Sequence, residues 1–247
     1  MSIVVVTGAL TGIGEATASA FAERGDIVVV AGRHDDAGER LARDLKRAGA
    51  SDSLFVRADV RFEGEVADLI DNTVSCFGRL DVAVNNAGTE GPLAPIVELT
   101  ATQYADTFGT NVLGTLLSMK HELRVMQPQG SGAIINVTSI FGDKGFPNSA
   151  LYVASKHAII GLTRTAALEA ASSGVRVNAI GPGYIDTPMF ARVVGSQQNQ
   201  DAAAASIPQQ RAGSPKEVAD AIVFMAGERA TYLTGQTLFL DGGVKAS

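Results

Sequence analysis

Cysteine and histidine are scarce and tryptophan is missing from this chain of 247 residues, which has one Cys, three His and no Trp. The lone thiol, Cys76, excludes an internal disulfide. His34, His121 and His157 are scattered without metal-ligand spacing, so no metal site is expected. No stretch approaches the ~18 to 20 uninterrupted apolar residues of a spanning helix. A basic block is missing as well: 20 Lys and Arg against 26 Asp and Glu give a net charge of -6, which argues against nucleic-acid or anionic-membrane partners. The opening "MSIVVVTGAL" carries no basic region and passes straight into a glycine turn. It reads as a first strand and not an export signal, and a cytoplasmic location is expected.

What is present is the pattern of a folded α/β protein. Hydrophobic residues make up 46% and charged ones 19%, a globular composition. Short β-branched runs at 3–7, 27–31, 53–58, 80–85, 133–138, 175–180 and 237–241 read as strands, and their near-continuous apolar character suits a sheet covered on both faces. Helical periods lie between them near 13–24, 36–48, 63–76, 100–126, 150–172 and 215–226. Strand and helix alternating in this way imply a parallel sheet in a doubly wound α/β sandwich, with residues 1–247 as a single domain. The segment 184–214 breaks the rhythm. It is polar in its middle and alanine-rich after it, and it reads as a functional loop over a substrate site or a surface excursion with one short helix.

"TGALTGIGEA" (7–16) follows the first strand and opens the first helix. Glycines at 8, 12 and 14 allow a sharp turn and close approach of a ligand to the unpaired N–H groups of the helix N-terminus, where a pyrophosphate fits. Glu15 stands where a P-loop lysine is wanted, so nucleotide hydrolysis is disfavoured and dinucleotide binding favoured. Farther on, "LYVASKHAII" sets Tyr152 and Lys156 four apart on one helix face. Alone, such a pair is an ordinary surface feature.

The spacing Thr7, Gly8, Gly12, Gly14 resembles the cofactor turn of the short-chain dehydrogenase/reductase family, and the likeness runs on in order. "NNAG" (85–88) ends the fourth strand, and Asn111 lies in the helix that follows. Ser139 ends the fifth strand, "YVASK" follows at 152–156, "GPGYIDTPM" (181–189) ends the sixth, and "YLTGQTLFLDGG" (232–243) closes the chain. The resemblance implies a Rossmann fold with a mostly seven-stranded parallel sheet, and an NAD(P)-dependent oxidoreductase acting on a ketone or secondary alcohol. Asn111, Ser139, Tyr152 and Lys156 would be its catalytic set.

Each residue type suits its implied role. A phenol is a sluggish proton donor unless a neighbouring ammonium stabilises the phenolate, so Lys156 is expected to lower the Tyr152 pKa and Tyr152 to act as general acid in reduction and base in oxidation. Lys156 would also hold the nicotinamide ribose, Ser139 would steady the substrate oxygen, and Asn111 would hold a water relaying protons from Lys156. Asn111 also has a plain reading, as an amide satisfying a neighbouring backbone group. A serine hydrolase is set aside, since Ser139 lies in "NVTSIFG" and not G-x-S-x-G.

The second strand ends "VVVAGRHDD", with Gly32 where NAD-dependent relatives carry Asp, and Arg33 next to it. A guanidinium there pairs with a 2′-phosphate, which favours NADP over NAD; Asp35 and Asp36 nearby either reach the ribose or cap the following helix. The remaining implied cofactor contacts are Gly8, Thr11, Gly12, Ile13, Gly14, Asp59, Val60, Asn86, Ala87, Gly88, Pro182, Gly183, Ile185 and Thr187. Ile140, Phe141, Phe146, Asn148, Tyr184, Met189 and Phe190 are expected to line a largely apolar substrate pocket. Two alternatives stand beside this reading: a 3-oxoacyl-carrier-protein reductase, which the tail at 208–243 resembles, and a dinucleotide sensor without turnover. The family resemblance also implies a homotetramer formed through the helices at 100–126 and 150–172.

Overall fold

The computed structural model describes residues 1–246. Seven strands, β1 (Ile3–Thr7), β2 (Ile27–Gly32), β3 (Asp52–Arg57), β4 (Val82–Asn85), β5 (Gly132–Val137), β6 (Val175–Pro182) and β7 (Thr237–Leu240), form one sheet in the order β3-β2-β1-β4-β5-β6-β7. Every neighbouring pair is parallel. The doubly wound α/β sandwich expected from the sequence is therefore the observed fold.

Alternation along β1 explains why its valine run is buried on both faces. Val4 and Val6 pack with Ala18 and Phe21 of α1 (Gly12–Glu23) and with Val218 and Ile222 of α9 (Pro215–Ala226). Val5 turns to the other face, against Leu69 and Ile70 of α3 (Glu63–Phe77), Met126 of α5 (Gly114–Gln129) and Ala166, Ala167 and Ala170 of α6 (Ala150–Ala170). Each such buried Val, Leu, Ile, Met or Phe side chain contributes about 1.5–3 kcal/mol of transfer free energy. The remaining helix on the β2 side is α2 (Asp35–Ala48).

Two expected elements come out differently. The helix at 100–126 is α4 (Ala101–Phe108), a single wide π turn (Gly109–Leu113) and then α5, which runs through Pro128 to Gln129 and stops where Gly130 adopts φ 75°. A Cβ on Gly114 would lie 2.6 Å from Val60 Cγ2, so α5 starts hard against the loop after β3. The segment 184–214 is not one loop with a single helix at most, but two helices, α7 (Pro188–Val194) and α8 (Gln197–Ala205). Thr187 caps α7 by accepting from Phe190 N at 3.2 Å, and Ser196 caps α8 by accepting from Asn199 N at 3.3 Å. Alanine-rich 202–205 then propagates helix readily.

The carboxyl ends of the strands share one edge of the sheet. The chain leaves β1 toward β2 on one side, whereas β4 lies on the other, so a crevice opens between the loops that follow β1 and β4.

Candidate active site

The crevice is held open by backbone. Gly8 and Gly12 adopt φ 61° and 60°, a left-handed conformation that suits glycine. A Cβ on Gly8 would come within 2.7 Å of Ala87 Cα, and one on Gly14 within 2.3 Å of the Gly8 carbonyl oxygen. The Asn86 side-chain amide donates to the carbonyls of Thr7 (3.2 Å) and Gly8 (2.9 Å), while the Thr7 hydroxyl accepts from the amides of Asn86 (3.2 Å) and Ala87 (3.3 Å). The ends of β1 and β4 are thus clamped together at the spacing the glycines permit.

The resulting cleft has a volume of about 500 Å³. Gly8, Thr11, Gly12, Ile13, Arg33, Asp59, Val60, Asn86, Ala87, Gly88 and Thr187 line it, and Leu10, His34, Thr110, Met189 and Arg192 are among the other residues of its wall. Gly14, Pro182, Gly183 and Ile185 do not line it. Gly14 is a wedge beneath the turn, and Gly183 lets the C-terminal segment close on β6, since its Cβ would lie 2.8 Å from Asp241 Cα. Ile185 is buried and faces a separate cavity of about 300 Å³ beside Ile207 and Phe239. A dinucleotide fits the glycine cradle, where a Cβ on Gly12 would stand 3.3 Å from Thr187 Cγ2 and close the passage between the turn and the segment ahead of α7.

Gly32 has a reason the sequence does not display. A Cβ there would lie 2.6 Å from Leu10 Cγ and Cδ1, so Leu10 fills the space where a carboxylate at position 32 would stand. Arg33 is exposed and lines the cleft, whereas Asp35 and Asp36 do not; Asp35 opens α2 and approaches Arg57 at 3.9 Å. Asp59 is buried and engaged by Arg61, whose Nη2 donates at 2.6 Å and Nε at 3.0 Å. That hydrogen bonding holds the Asp59 carboxyl below its ordinary value, with burial opposing and the charges of Arg61 and Arg33 assisting.

Ser139, Tyr152 and Lys156 converge beside this cleft. Ser139 ends the segment after β5 and caps a short turn by accepting from Phe141 N at 3.2 Å, and its hydroxyl acts on the Tyr152 phenol to lower its pKa. Lys156 is buried one helical turn along α6, and its Nζ donates to the Val137 carbonyl at 2.9 Å and lies 5.6 Å from the Tyr152 ring centroid. The expected depression of the phenol by Lys156 is overturned. Removal from water pushes half-buried Tyr152 up to about 12; the Ser139 hydroxyl is the group that lowers it, and the charge of Glu90 adds to the rise. Burial also pushes Lys156 down to about 8, which weakens it as a fixed cation.

Asn111 sits fully buried in the π turn. Its Oδ1 accepts from Thr89 N at 2.8 Å, and its Nδ2 donates to Thr89 O and to Ser155 Oγ, both at 2.9 Å. These bonds are the plain role weighed above, an amide satisfying backbone; they pin the loop after Gly88 to α6. A Cβ on Gly88 would lie 3.4 Å from Asn111 Oδ1 and 3.6 Å from Lys156 Nζ, so glycine keeps this corner open.

The expected substrate wall divides. Phe141, Phe146, Tyr184 and Phe190 form a chain of aromatic contacts, at centroid separations of 4.7 Å (Phe141–Phe146), 6.4 Å (Phe141–Tyr184) and 5.9 Å (Tyr184–Phe190). Ile140 is not part of the wall; it is fully buried in the core. Met189 lines the cofactor cleft, and Asn148 shapes backbone, accepting from Ala94 N at 2.8 Å while holding φ 61°.

Three residues escaped the sequence reading. Glu90 and Arg192 pair across the cleft mouth, and nothing in the local pattern marks either. Glu122 is buried with its Oε2 accepting from Asn85 Nδ2 at 3.0 Å, and burial raises its carboxyl to about 8. Its position between Met119 and Met126 on an apolar helix face was a visible signal. No cluster of three or more metal-ligating side chains and no helix long and apolar enough to cross a membrane occurs among the described residues.

Known proteins resemble this chain over its length. A family model described as Enoyl-(Acyl carrier protein) reductase matches residues 8–245. Cis-4-hydroxycyclohexanecarboxylate dehydrogenase of Sinomonas cyclohexanicum is 44% identical, with 99% of this chain and 96% of that protein covered. Short chain dehydrogenase/reductase astE of Aspergillus oryzae is 36% identical, with 98% of this chain and 94% of that protein covered. The solved structure of ElxO with NADP bound superposes with a TM-score of 0.93 at 36% identity, covering 100% of both chains.

Proposed function

The chain belongs to the short-chain dehydrogenase/reductase family and is an oxidoreductase; from that premise we propose that it transfers a hydride between NADP(H) and a ketone or secondary alcohol, with Tyr152 as general acid and base. The observation that carries this reading is the convergence of Tyr152, Ser139 and buried Lys156 beside a glycine-built cleft.

The bound dinucleotide supplies the hydride to the carbonyl carbon, or accepts it in the reverse direction. The rest falls to the protein. In reduction the Tyr152 hydroxyl gives its proton to the carbonyl oxygen; in oxidation the phenolate takes the alcohol proton. The Ser139 hydroxyl favours the ionised form of the phenol and also steadies charge on the substrate oxygen. Lys156, with a proton affinity near pH 8, exchanges protons close to neutrality and reprotonates Tyr152 between turnovers. Asn111 acts by holding Thr89 in register with α6.

NADP is the favoured partner because Leu10 occupies the space a ribose-binding carboxylate at position 32 would need, while Arg33 borders the cleft. The solved relative ElxO holds NADP. The aromatic chain from Phe146 to Phe190 suits a substrate with an apolar body. A ring alcohol bearing an acid group, like that named for the Sinomonas relative, would also meet the Lys144 ammonium, which lies 5.9 Å from the Phe141 ring centroid. Assembly through α4, the π turn, α5 and α6 is supported by the exposed Tyr104, Leu113, Leu116 and Leu168, and a tetramer by light scattering is the expected result. A cytoplasmic setting accords with the single exposed thiol, Cys76.

The test is turnover of a panel of cyclic and linear ketones, hydroxy acids and an acyl-carrier 3-oxo thioester with NADPH and with NADH. Reduction preferring NADPH is expected. A preference for NADH would overturn the cofactor assignment, exclusive use of the thioester would make the protein a 3-oxoacyl-carrier reductase, and tight dinucleotide binding without any turnover would favour a sensor.

A further inference from the structure

Beneath the strand ends lies a file of four polar side chains that hydride transfer does not use. Glu122 on α5, Asn85 at the end of β4, Asn136 on β5 and Thr163 on α6 are all buried. Asn85 and Asn136 are partners in the register of neighbouring strands. Asn85 Nδ2 donates both to Asn136 Oδ1 and to Glu122 Oε2, each at 3.0 Å. Asn136 Nδ2 donates to Thr163 Oγ1 at 2.9 Å, and the Thr163 hydroxyl donates to the Ile159 carbonyl at 2.7 Å. From Asn85 onward the file runs in one direction, each member donating to the next, and it ends on the helix that carries Tyr152 and Lys156.

Two atoms at the head of the file are left over. Glu122 Oε1 and Asn85 Oδ1 are buried oxygens to which no group among the described residues donates. Bare buried acceptors are costly, and these two belong to side chains that already share a hydrogen bond, so one cause should account for both. An ionised carboxylate supplies no donor and leaves both oxygens bare. It would also lack a counter-charge, since the neighbouring Lys120 and His121 both turn to Glu63. A protonated carboxyl has the missing donor. Its O–H and C=O match the C=O and N–H of a primary amide, and the two groups can close a ring of two hydrogen bonds. Burial, which raises the Glu122 carboxyl to about 8, acts in the same direction.

We propose that Glu122 is a neutral carboxylic acid whose Oε1–H donates to Asn85 Oδ1, closing a cyclic acid–amide pair that makes Glu122 a positioning residue for the end of β4. One proton accounts for both bare oxygens and gives the file its first donor. The consequence for the cleft comes through the next residue, since Asn86 holds the Thr7 and Gly8 carbonyls of the glycine turn. At the far side of the file, Val137 follows Asn136 and offers the carbonyl that receives Lys156 Nζ. The acid thus supports both halves of the site from a place that no ligand touches. Its effect on ligand affinity rests on reading the cleft as the dinucleotide site; its protonation does not.

The test has a spectroscopic part and a binding part. An infrared difference spectrum, wild type minus Glu122→Gln, is recorded at about pH 6, where an ordinary glutamate is ionised. It should show the C=O stretch of a protonated acid, shifted on transfer to D2O. Carboxylate bands in its place would overturn the proposal whatever happens to ligands. Position is then read by calorimetry with NADPH. Gln presents an N–H and a C=O in the same places, so Glu122→Gln should keep affinity within about twofold of wild type. Glu122→Leu offers neither group and should lower affinity by about three- to tenfold and the thermal midpoint by about 3 to 10 °C. Wild-type affinity in Glu122→Leu, or a loss in Glu122→Gln as large as in Glu122→Leu, would overturn the positioning role. If Glu122→Leu does not fold, the infrared band and the affinity of Glu122→Gln still decide. A wild-type protein that binds neither NADPH nor NADH would mean that the reading of the cleft has failed, while the infrared band still settles the state of Glu122.

Discussion

On the side of β1, β2 and β4 the cleft is made by backbone, whereas on the side of α7 and the 140–148 segment it is made by side chains. The first wall tolerates no extra carbon at Gly8 or Gly14, where a Cβ would meet main-chain atoms at 2.7 and 2.3 Å. The second is a relay of rings from Phe146 to Phe190, with Phe146 43% exposed and α7 and α8 carrying no buried residue. A wall of backbone specifies one ligand shape and gives little when mutated. A wall of half-exposed rings can be exchanged ring by ring at small cost to the fold, which is how one scaffold serves many alcohols and ketones.

The sharpest way to break this comparison is Gly14→Ala. Its methyl collides with the Gly8 carbonyl, so dinucleotide affinity by titration calorimetry should fall by about 100-fold or more and stability by about 2 kcal/mol or more. Affinity within a few-fold of wild type would mean that the turn is not rigid. Arg33→Ala, a side-chain change on the backbone wall, should lower the preference for NADPH over NADH by about 10-fold while leaving NADH turnover in place, since one charged hydrogen bond is worth about 1.5–3 kcal/mol. An unchanged ratio would remove Arg33 from cofactor choice.

Glu122 tests how the backbone wall is supported from beneath, through Asn85 at the end of β4. The folded carboxyl keeps its proton to about pH 8, against an ordinary value of 4.5, because it is buried. The folded state therefore binds more protons than the unfolded state between these values, and this group's contribution to stability is full below about 4.5 and lost as pH rises through about 8. Glu122→Gln should remove that slope, so that its unfolding free energy gains on wild type across the interval, by at most about 1.4 kcal/mol per pH unit. Parallel stability profiles would show that the acid is ionised throughout. The smallest effect belongs to the ring wall: Phe146→Ala should change stability by within about 0.5 kcal/mol and substrate KM by a few-fold, with the ratio of cofactors untouched. A large loss of thermal stability would mean that the second wall is as rigid as the first.

Legibility in the sequence followed the same division. The glycine turn, the strand ends and the Tyr–Lys pair were readable because backbone demands and helical spacing leave residue types at fixed separations, and the sheet order agrees with them. The π turn at Gly109–Leu113 was not readable, since it depends on Asn111 reaching Thr89 and on α5 closing against Val60. Ile140 and Ile185 depart from expectation for a related reason: an apolar residue next to a motif looks the same whether it turns to the ligand or to the core. The raised Tyr152 phenol is not legible because spacing shows adjacency but not desolvation, and burial is the largest influence on both Tyr152 and Lys156. Glu90 and Arg192, 102 residues apart, meet only through the fold.

The most direct test of the account is Tyr152→Phe, with NADPH-dependent ketone reduction and NADPH affinity measured on the same preparation. The account predicts affinity within a few-fold of wild type and turnover lower by about 10²- to 10⁴-fold, the span of general acid catalysis. Turnover above a few percent of wild type, with affinity intact, would contradict it.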